Sequence, residues 1–324
     1  MAAGERLFGA SFEDIERLLP IYAHAGIESR RSCVPLEWYL EPHGFAERND
    51  LFLDHARRLL VEAADRCLED AGLGHGEVDA IVAVSTSGIA TPSLDALVME
   101  SRPFRRDVAR LPIFGLGCAG GVLGLARAAA MARAEPGCRV LFLCVELCGL
   151  TFRLADRGKS NLVATALFGD GAAAALIACD GPAGPALAAW GEHTWPDSLE
   201  VMGWRIGDDG FGVLFSRDIP AIVRNDYRAA CDAFLERAGM PLGGFDAILC
   251  HPGGAKVIAA LEEAFGLPAG AMRHAREVLR TFGNMSAVTI LFVLERALAG
   301  EPPGRWLLSS LGPGFTAGFL VLEP

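Results

Sequence analysis

The chain has 324 residues, of which 52% are hydrophobic, so it is long enough to bury one large core or two fused cores. Its formal net charge of -11 argues against nucleic acid as a partner, because binding to phosphates needs a basic surface. An anionic small molecule could still be bound through a local basic patch.

The N-terminus shows none of the three marks of a signal peptide, which are a basic region, an apolar run and a small-residue cleavage site. The longest uncharged stretches, residues 111–126 and 306–322, are shorter than a membrane-spanning helix and are interrupted by glycines. We therefore expect a soluble, cytoplasmic protein without a membrane span.

The chain contains nine cysteines, an odd number, with no Cys-x-x-Cys pair and no histidines at zinc-ligand spacing. The closest pair, Cys144 and Cys148, lies in an apolar run that predicts a buried strand. We expect neither disulfides nor a structural metal, and most of the cysteines should be small core residues.

In chain order, the first clear elements are an amphipathic helix over about 51–70 and a short apolar strand at 80–84. A helix over about 221–237 and a strand at 247–250 repeat this order in the second half. Gly72 and Gly239 stand where a helix C-terminus favours glycine. The two halves therefore begin with the same local pattern.

Three pairs of segments recur in the same order and indicate an internal duplication. The pairs are 68–81 with 235–248, Phe114-Gly115 with Phe282-Gly283, and 169–171 with 312–314. Chance similarity in a chain rich in Gly and Ala is the alternative. Two similar α/β halves would bury their strands between helices and give a layered fold with helices between sheets.

The turn around Cys118 carries the strongest chemical signal in the first half. In residues 111–121 a strand ends, glycines permit a tight turn, and Cys118 opens a helix rich in Ala and Leu. Free backbone N–H groups and the helix dipole favour a thiolate there, and the glycines let a substrate carbonyl approach backbone donors. The alternative is a buried cysteine in a packed turn.

A nucleophilic cysteine needs an imidazole nearby, and His251 is the best of the seven histidines. It directly follows an apolar strand and begins the loop His251-Pro-Gly-Gly254. His193 lies in a stretch without a clear pattern. The other five lie in charged or turn-rich segments and are expected at the surface: His24, His43, His55, His75 and His274. A structural role is the alternative for His251.

Asn284 precedes a strongly apolar helix over about 287–298. It could cap that helix, which is a common role for Asn. In the duplication, however, the segment with Asn284 and Ser286 corresponds to the Cys118 turn, and Ser286 is the counterpart of Cys118. We expect the two halves to meet at these residues and to form a pocket there, with Asn284 as a candidate hydrogen-bond donor.

Together these motifs resemble the type III polyketide synthases of the chalcone and stilbene synthase family, within the thiolase superfamily. The resemblance runs from about residue 22 to the C-terminus. It implies a thiolase-like α/β fold of two similar halves, 1–180 and 181–324, in a layered αβαβα arrangement, and a homodimer. The matching segments, in the family's order, are 117–121, 167–172, 251–254, 283–286 and 312–315.

The resemblance implies a catalytic triad of Cys118, His251 and Asn284. His251 would keep Cys118 as a thiolate, and Cys118 would take a starter acyl group from a CoA thioester. His251 and Asn284 would then donate hydrogen bonds to the thioester carbonyl of malonyl-CoA and stabilise the enolate formed on decarboxylation. The implied enzyme is an acyltransferase that needs CoA thioesters as substrates, with no cofactor and no metal.

The resemblance also assigns the substrate cavity. Phe168 matches the family's gate between the CoA tunnel and the cavity, where a ring would exclude water. The second gate, usually Phe, aligns with Val213, so the passage should be wider unless Phe211 or Phe215 fills it. Core packing is the alternative for Phe168. Three further residues are expected to line the cavity: Ser87, Thr151 and Ser286.

The CoA tunnel is placed by the same resemblance. Gly253 and Gly254 would let the pantetheine arm pass close to the backbone, and Arg30, Arg31 and Lys256 would meet the CoA phosphates. These basic residues are equally consistent with solvated surface charges.

Two further departures from the family concern its dimer and its N-terminus. Thr91 lies in the loop that matches the dimer-crossing loop, where plant members often carry Met. Family members usually have a longer segment before the first helix, so we expect that some stabilising N-terminal contacts are missing here.

The sequence as a whole is most similar to bacterial members that make alkylpyrones or alkylresorcinols. We therefore expect a long-chain fatty acyl-CoA starter, because Val213 and the small residues around the cavity should leave room for it. Which ring closes, and after how many extensions, depends on the shape of the cavity.

Three other functions compete with this one. A ketoacyl synthase III shares Cys, His and Asn but differs from the His251-Pro-Gly-Gly254 pattern. A hydroxymethylglutaryl-CoA synthase needs an acidic residue near the site, and Glu146 better fits the end of a strand. A catalytically idle dimer partner of the same fold is the non-enzymatic alternative, against which the intact Cys, His and Asn set argues.

Overall fold

The computed structural model describes residues 20–153, 156, 158–179, 184–300 and 304–324. Two four-stranded sheets form its framework, and a separate two-stranded hairpin lies beside them. The strands are β1 (Ala80–Val84), β2 (Ala109–Ile113), β3 (Val140–Leu147), β4 (Asp170–Ile177), β5 (Ala186–Thr194), β6 (Met202–Gly207), β7 (Gly210–Phe215), β8 (Ala247–Cys250), β9 (Trp306–Gly312) and β10 (Thr316–Glu323).

Helices connect and cover these sheets. Short 3-10 turns at Gly117–Ala119 and Ser286–Val288 lead into the two central helices. The α-helices within the described residues are α1 (Pro20–His24), α2 (Phe45–Asp70), α3 (Leu94–Ser101), α4 (Gly120–Ala134), α5 (Lys159–Leu167), α6 (Ile219–Ile222), α7 (Arg228–Ala238), α8 (Ala255–Phe265), α9 (Arg273–Phe282) and α10 (Thr289–Gly300).

The strand order confirms the duplication. The first sheet has the order β2-β1-β3-β4, with β1 parallel to β3 and β3 antiparallel to β4. The second has the order β5-β10-β9-β8, with β8 parallel to β9 and β9 antiparallel to β10. The set β1, β3, β4 therefore recurs as β8, β9, β10. All strands of the first sheet precede residue 180, and all strands of the second follow it.

Helices α4 and α10 pack between the two sheets, as the expected αβαβα arrangement requires. Glycines let these elements approach closely: a Cβ at Gly121 would lie 2.2 Å from the carbonyl oxygen of Ala287, and one at Gly124 would lie 2.4 Å from the Phe142 ring. Helix α2 covers the outer face of the first sheet, and α7 covers the second, where Phe234 stacks on Phe319. The fold is thus a thiolase-like α/β fold, as predicted.

Several local predictions need correction. The first amphipathic helix begins at Phe45, before the predicted residue 51, and the second is a continuous helical run in which a π-turn, Val223–Tyr227, separates α6 from α7. His193 lies within β5. Of the five histidines expected at the surface, His24 is exposed, and four are half-buried: His43, His55, His75 and His274.

The nine cysteines are all free thiols, and six of them are buried. Within the described part of the chain, no group of three or more His, Cys, Asp or Glu side chains is arranged to hold a metal ion. The helices described there also include none with the length and apolar character needed to cross a membrane.

Candidate active site

The chain brings its three candidate catalytic residues together from three separate turns. Cys118 lies in the 3-10 turn that leads into α4, His251 directly follows β8, and Asn284 directly follows the glycine that ends α9. All three line one buried hollow, with Ser309, Ser310 and Leu311 of β9 among its other walls. The duplication explains this convergence, because it places the Cys118 turn and the Asn284 turn at equivalent ends of the two central helices.

The Cys118 thiol faces the second half of the chain directly. Its Sγ lies 3.6 Å from the Ser286 hydroxyl and 4.0 Å from Oδ1 of Asn284. The Asn284 amide is oriented by two bonds: Oδ1 accepts from the Ser286 N–H at 2.8 Å, and Nδ2 donates to the Gly253 carbonyl at 3.4 Å. Asn284 therefore holds the turn before α10, which is close to the capping role, and also faces the thiol.

Ser286 has an unusual backbone conformation for a residue with a side chain. Its φ is 48°, in the left-handed region that few non-glycine residues adopt. The conformation is held by the bond from its N–H to Asn284 and by the Thr289 hydroxyl, which donates to its carbonyl at 2.9 Å. Such strain is concentrated at functional sites, and here it places the Ser286 hydroxyl against Cys118.

His251 is fixed by its backbone while its ring is left without a partner. The His251 N–H donates to the Ser309 carbonyl at 2.8 Å, which ties the start of the loop to β9. The residue is buried, and neither ring nitrogen hydrogen-bonds to any of the described residues. A buried polar ring without a partner is costly unless a ligand supplies one, so the ring is available for substrate.

Burial dominates the electrostatics of the thiol and the imidazole. It raises the pKa of the Cys118 thiol to about 12, although the hydrogen bond with Ser286 lowers this pKa. It also lowers the pKa of His251 to about 3. Burial therefore disfavours a thiolate at Cys118 alone and an imidazolium at His251 alone. A proton moved from Cys118 to His251 would create both charges together, and their attraction would offset part of that cost.

Glu146, which the sequence analysis places at the end of a strand, acts electrostatically on Cys118. It lies in β3, fully buried, and one oxygen accepts from the Ser87 hydroxyl at 2.6 Å and the Thr86 N–H at 3.0 Å. Burial raises the pKa of this carboxyl to about 7. Its negative charge in turn raises the pKa of the Cys118 thiol.

Phe168, the predicted gate, borders both an outer and an inner space. Its side chain lines an outer hollow of about 200 Å³ and also an inner hollow of about 30 Å³ beside Cys118. Its backbone pairs with Asn284 in a parallel bridge, flanked by bonds from the Gly169 N–H to the Asn284 carbonyl and from the Asn284 N–H to the Leu167 carbonyl.

The space next to Cys118 is narrow. Cys118 lines two hollows with volumes of about 20 and 30 Å³. Val213 lines the second, as predicted, and Phe215 and Met202 line both. Trp204 also lines the second hollow, and its ring centroid lies 6.1 Å from that of Phe168. Met202 and Trp204 were not predicted, because neither lies in a recognisable motif.

Two of the residues expected to bind CoA line the outer hollow. Arg30 and Arg31 line it together with Thr151, and Nη1 of Arg30 donates to the Phe168 carbonyl at 3.1 Å. Burial lowers the pKa of Arg30. Gly253 lines the hollow that contains Cys118 and His251. Gly254 directly precedes α8.

Four predicted site residues lie elsewhere. Lys256 is exposed on α8 and lines neither the outer hollow nor the two beside Cys118. The Ser87 hydroxyl donates a hydrogen bond to Glu146 and accepts one from the Leu147 N–H at 2.8 Å, so it does not face the cavity. Phe211 packs on Phe45 and, with Ser87, lines a small separate hollow. Thr151 lines the outer hollow instead of the space beside Cys118.

Models of one protein family match almost the entire chain. The model described as "Chalcone and stilbene synthases, N-terminal domain" matches residues 38–181, and the model of the C-terminal domain of the same family matches residues 188–323.

Individual relatives and solved structures agree with this match. The chain is 40% identical over 312 residues to 1,3,6,8-tetrahydroxynaphthalene synthase of Streptomyces peucetius subsp. caesius, covering 94% of this chain and 82% of the relative. The crystal structure of 1,3,6,8-tetrahydroxynaphthalene synthase from Streptomyces coelicolor A3(2), a bacterial type III polyketide synthase, superposes with a TM-score of 0.94 at 28% identity, covering 99% of this chain and 94% of the other. Germicidin synthase from Streptomyces coelicolor, also a type III polyketide synthase, gives a TM-score of 0.90 at 27% identity, covering 98% and 93%.

Proposed function

Because the chain belongs to the chalcone and stilbene synthase family and is a type III polyketide synthase, we propose that Cys118, His251 and Asn284 carry out its decarboxylative condensation. Enzymes of this kind are acyltransferases that use malonyl-CoA. The observation that supports the proposal most is that these three residues, distant in sequence, line one buried hollow.

In the loading step, the Cys118 sulfur attacks the carbonyl of an acyl-CoA thioester. The proton of the thiol passes to His251, and the bond between the carbonyl carbon and the CoA sulfur breaks. CoA leaves as a thiol after taking up that proton, and the acyl group remains on Cys118. Burial disfavours separate charges on Cys118 and His251, so this proton transfer is expected to accompany substrate binding.

In the extension step, malonyl-CoA loses its carboxylate as carbon dioxide, and the bonding electron pair becomes an enolate on the thioester. The enolate oxygen accepts hydrogen bonds from His251 and from Nδ2 of Asn284, whose present bond to Gly253 is long at 3.4 Å and can be exchanged. The enolate carbon then attacks the thioester on Cys118 and releases the cysteine sulfur. The product is a CoA thioester two carbons longer.

Exclusion of water protects both intermediates. Cys118 is 8% exposed and Asn284 is 1% exposed, and Phe168 lines both the inner hollow of about 30 Å³ beside Cys118 and the outer one. Water would hydrolyse the thioester and protonate the enolate before condensation. Phe168 is therefore proposed to limit both losses, and the outer hollow with Arg30 and Arg31 is proposed to receive the CoA substrate.

The starter acyl group is the finer part of the proposal. Val213 lines the inner hollow where the family usually has a larger ring, which supports a long-chain fatty acyl starter and an alkylpyrone or alkylresorcinol product. A second candidate is a short acyl starter. It is favoured by the volumes of about 20 and 30 Å³ beside Cys118, and by a 40% identical relative named for a naphthalene product without an alkyl chain.

A graded series of starters separates these candidates. Purified protein is incubated with malonyl-CoA and acyl-CoAs of increasing chain length, and the products are identified by mass spectrometry. Alkyl-substituted products that increase with chain length support the long starter. Products built from malonyl units alone, at the same rate with every acyl-CoA, overturn it. No product with any starter, and no acyl group on Cys118, would instead support the catalytically idle partner.

We also propose that the protein acts as a homodimer in the cytoplasm. Strand β2 forms one edge of the first sheet, so one side of its backbone has no partner among the described strands. Phe114, which directly follows β2, is 55% exposed, and Ile89 in the loop before the exposed Thr91 is 39% exposed. A second copy placed against β2 would cover these apolar side chains.

A further inference from the structure

The hairpin formed by β6 and β7 covers the inner hollow. It belongs to neither four-stranded sheet, and it pairs only with itself among the described strands. Six of its residues line the inner hollow beside Cys118: Met202, Gly203, Trp204, Val213, Leu214 and Phe215. Any movement of this hairpin would therefore change the space available to an acyl group on Cys118.

One ion pair fastens the far end of this hairpin. Nη1 of Arg153 lies 2.9 Å from Oδ1 of Asp209, which stands in the turn between β6 and β7. Among the hydrogen bonds between described residues, it is the only one that joins the hairpin to a distant part of the chain. The other side-chain bond of the hairpin, from Arg205, goes to nearby Glu200. Arg153 is also held by Asp156 at 2.6 Å.

The Arg153 side chain also lies across β7. An ideal Cβ at Gly212 would lie 2.6 Å from Nη2 of Arg153, so the guanidinium occupies the space that a side chain would fill. Gly212 directly precedes Val213, which lines the inner hollow. Arg153 thus braces the strand next to the position of the family's second gate.

The segment that carries Arg153 is itself firmly held. The buried guanidinium of Arg48 donates to the carbonyls of Leu150 at 2.8 Å and Phe152 at 2.7 Å, directly before Arg153. Strand β7 also packs against α2 and α5, and the hairpin's ring contacts with the rest of the chain are edge-on or tilted, between Trp204 and Phe168 and between Phe211 and Phe45. These contacts contain no hydrogen bond, whereas the ion pair ties the hairpin to the segment that Arg48 holds.

The inner hollow is too small for a long acyl group unless the hairpin moves. Its volume of about 30 Å³ is room for roughly two water molecules, since one needs about 10–15 Å³ of such space. The Asp209 side chain is 50% exposed, and an ion pair this open to water is weak enough to break and re-form during turnover.

From these contacts we propose that the Arg153–Asp209 ion pair is a latch that determines how large an acyl group can reach Cys118. Arg153 and Asp209 are positioning residues, which act through the hairpin and do not touch the reacting atoms. Releasing the latch lets the hairpin move outward and admits longer acyl groups. The proposal builds on the proposed function only in assuming that Cys118 is the acylated residue.

The test measures access to Cys118 without requiring polyketide synthesis. Cys118 is alkylated with iodoacetamide and, separately, with an iodoacetamide that carries a long N-alkyl chain, and both rates are followed by peptide mass spectrometry. We expect Asp209→Asn to raise the ratio of the long-reagent rate to the small-reagent rate roughly 2- to 5-fold, as suits an exposed ion pair. Asp209→Glu should restore the wild-type ratio.

Two matched variants complete the design. Glu200→Gln removes the partner of Arg205 at the other end of the hairpin, an ion pair of 3.5 Å that does not join the fixed segment, and should leave the ratio unchanged. Gly212→Ala displaces the Arg153 guanidinium without removing either charge and should raise the ratio in the same direction as Asp209→Asn.

An unchanged ratio in both Asp209→Asn and Gly212→Ala, with melting temperatures near that of the wild type, would overturn the latch. If the proposed function fails but the latch is real, no polyketide forms and yet the labelling ratio still rises. If the proposed function holds and the latch is wrong, polyketide synthesis is normal, and the ratio of the two labelling rates is the same in the variants as in the wild type. With active enzyme, Asp209→Asn should lower KM for long acyl-CoA starters more than it changes kcat.

Discussion

Phe168 and Asn284 are joined backbone to backbone in a parallel bridge, so the proposed gate and the proposed catalytic amide form one structural unit. The Gly169 N–H donates to the Asn284 carbonyl at 3.0 Å, and the Asn284 N–H donates to the Leu167 carbonyl at 2.9 Å. Phe168 belongs to the N-terminal half of the chain and Asn284 to the C-terminal half. The backbone of Phe168 is therefore fixed relative to Asn284, the group proposed to stabilise the enolate.

This relationship predicts the effect of removing the ring. Phe168→Ala should let water into the inner hollow while leaving the backbone bridge intact. The enolate would then be protonated before it condenses, so the ratio of acetyl-CoA to polyketide formed from malonyl-CoA should rise about tenfold, as for a loss of roughly 1.4 kcal/mol in the favoured path. Quantifying both products by mass spectrometry checks this. Phe168→Leu, which keeps most of the bulk, is the control, and an equal ratio in both variants would contradict a gate.

A second prediction concerns Glu146 and the reactivity of Cys118. The charge of Glu146 raises the pKa of the Cys118 thiol, so Glu146→Gln should lower that pKa and speed alkylation of Cys118 above pH 7. Below about pH 6 the carboxyl is already neutral, because burial raises its pKa to about 7, and the variant should match the wild type. The measurement is the pH profile of iodoacetamide labelling. A profile unchanged by the substitution would show that Glu146 does not act on the thiol.

The same carboxyl predicts a stability difference with a definite sign. Its pKa rises from 4.5 in the unfolded chain to about 7 in the folded protein, so its contribution to stability is complete below 4.5 and is lost as the pH rises through 7. Glu146→Gln should therefore gain stability relative to the wild type between pH 4.5 and 8. Urea unfolding of both proteins across this range checks the direction, and a difference that does not vary with pH would contradict it.

His251 predicts the opposite pH dependence. Burial lowers its pKa from 6.5 to about 3, so the unfolded chain takes up the proton first as the pH falls. Stability from this residue is present above pH 6.5 and is lost as the pH falls towards 3. His251→Gln, which cannot be protonated, should unfold less steeply with acid than the wild type in that window. Thermal unfolding between pH 7 and 4 measures the difference, and parallel curves would show that His251 is not buried in its neutral form.

The proposed dimer predicts a local effect at the edge of the first sheet. Phe114→Lys places a charge where a second copy would cover a ring that is 55% exposed, so the elution of the protein at micromolar concentration should shift from dimer to monomer. Light scattering gives the masses. Leu199→Lys changes a side chain that is 77% exposed but lies far from β2 in sequence, and it should leave the dimer intact. A dimer that survives Phe114→Lys as well would exclude this edge.

The sequence predicts those parts of the site that depend on backbone turns, and it does not predict those that depend on side-chain contacts. Gly117, Gly254 and Gly283 mark turns whose backbone conformation favours glycine, so they identify the positions of Cys118, His251 and Asn284. The duplication then predicts that the first and third of these turns meet. The fold follows from the same repeat, since each half carries one helix, one apolar strand and one glycine turn in fixed order.

Side-chain contacts across the hairpin could not be predicted in this way. Val213 and Phe211 lie two residues apart on β7, yet Val213 lines the inner hollow while Phe211 packs on Phe45. Ser87 lies in a predicted cavity loop, but its hydroxyl is taken up by Glu146. Such choices depend on three-dimensional neighbours, and neither spacing nor residue type distinguishes them.

The central claim is that Cys118 carries the acyl chain while Asn284 acts only in extension. The most direct measurement is peptide mass spectrometry of Asn284→Ala, quenched after incubation with an acyl-CoA starter and malonyl-CoA. We predict that the starter acyl group accumulates on the peptide that contains Cys118 and that no extended chain appears. An acyl group on any of the other eight cysteines, or extended chains at the wild-type rate, would contradict the account.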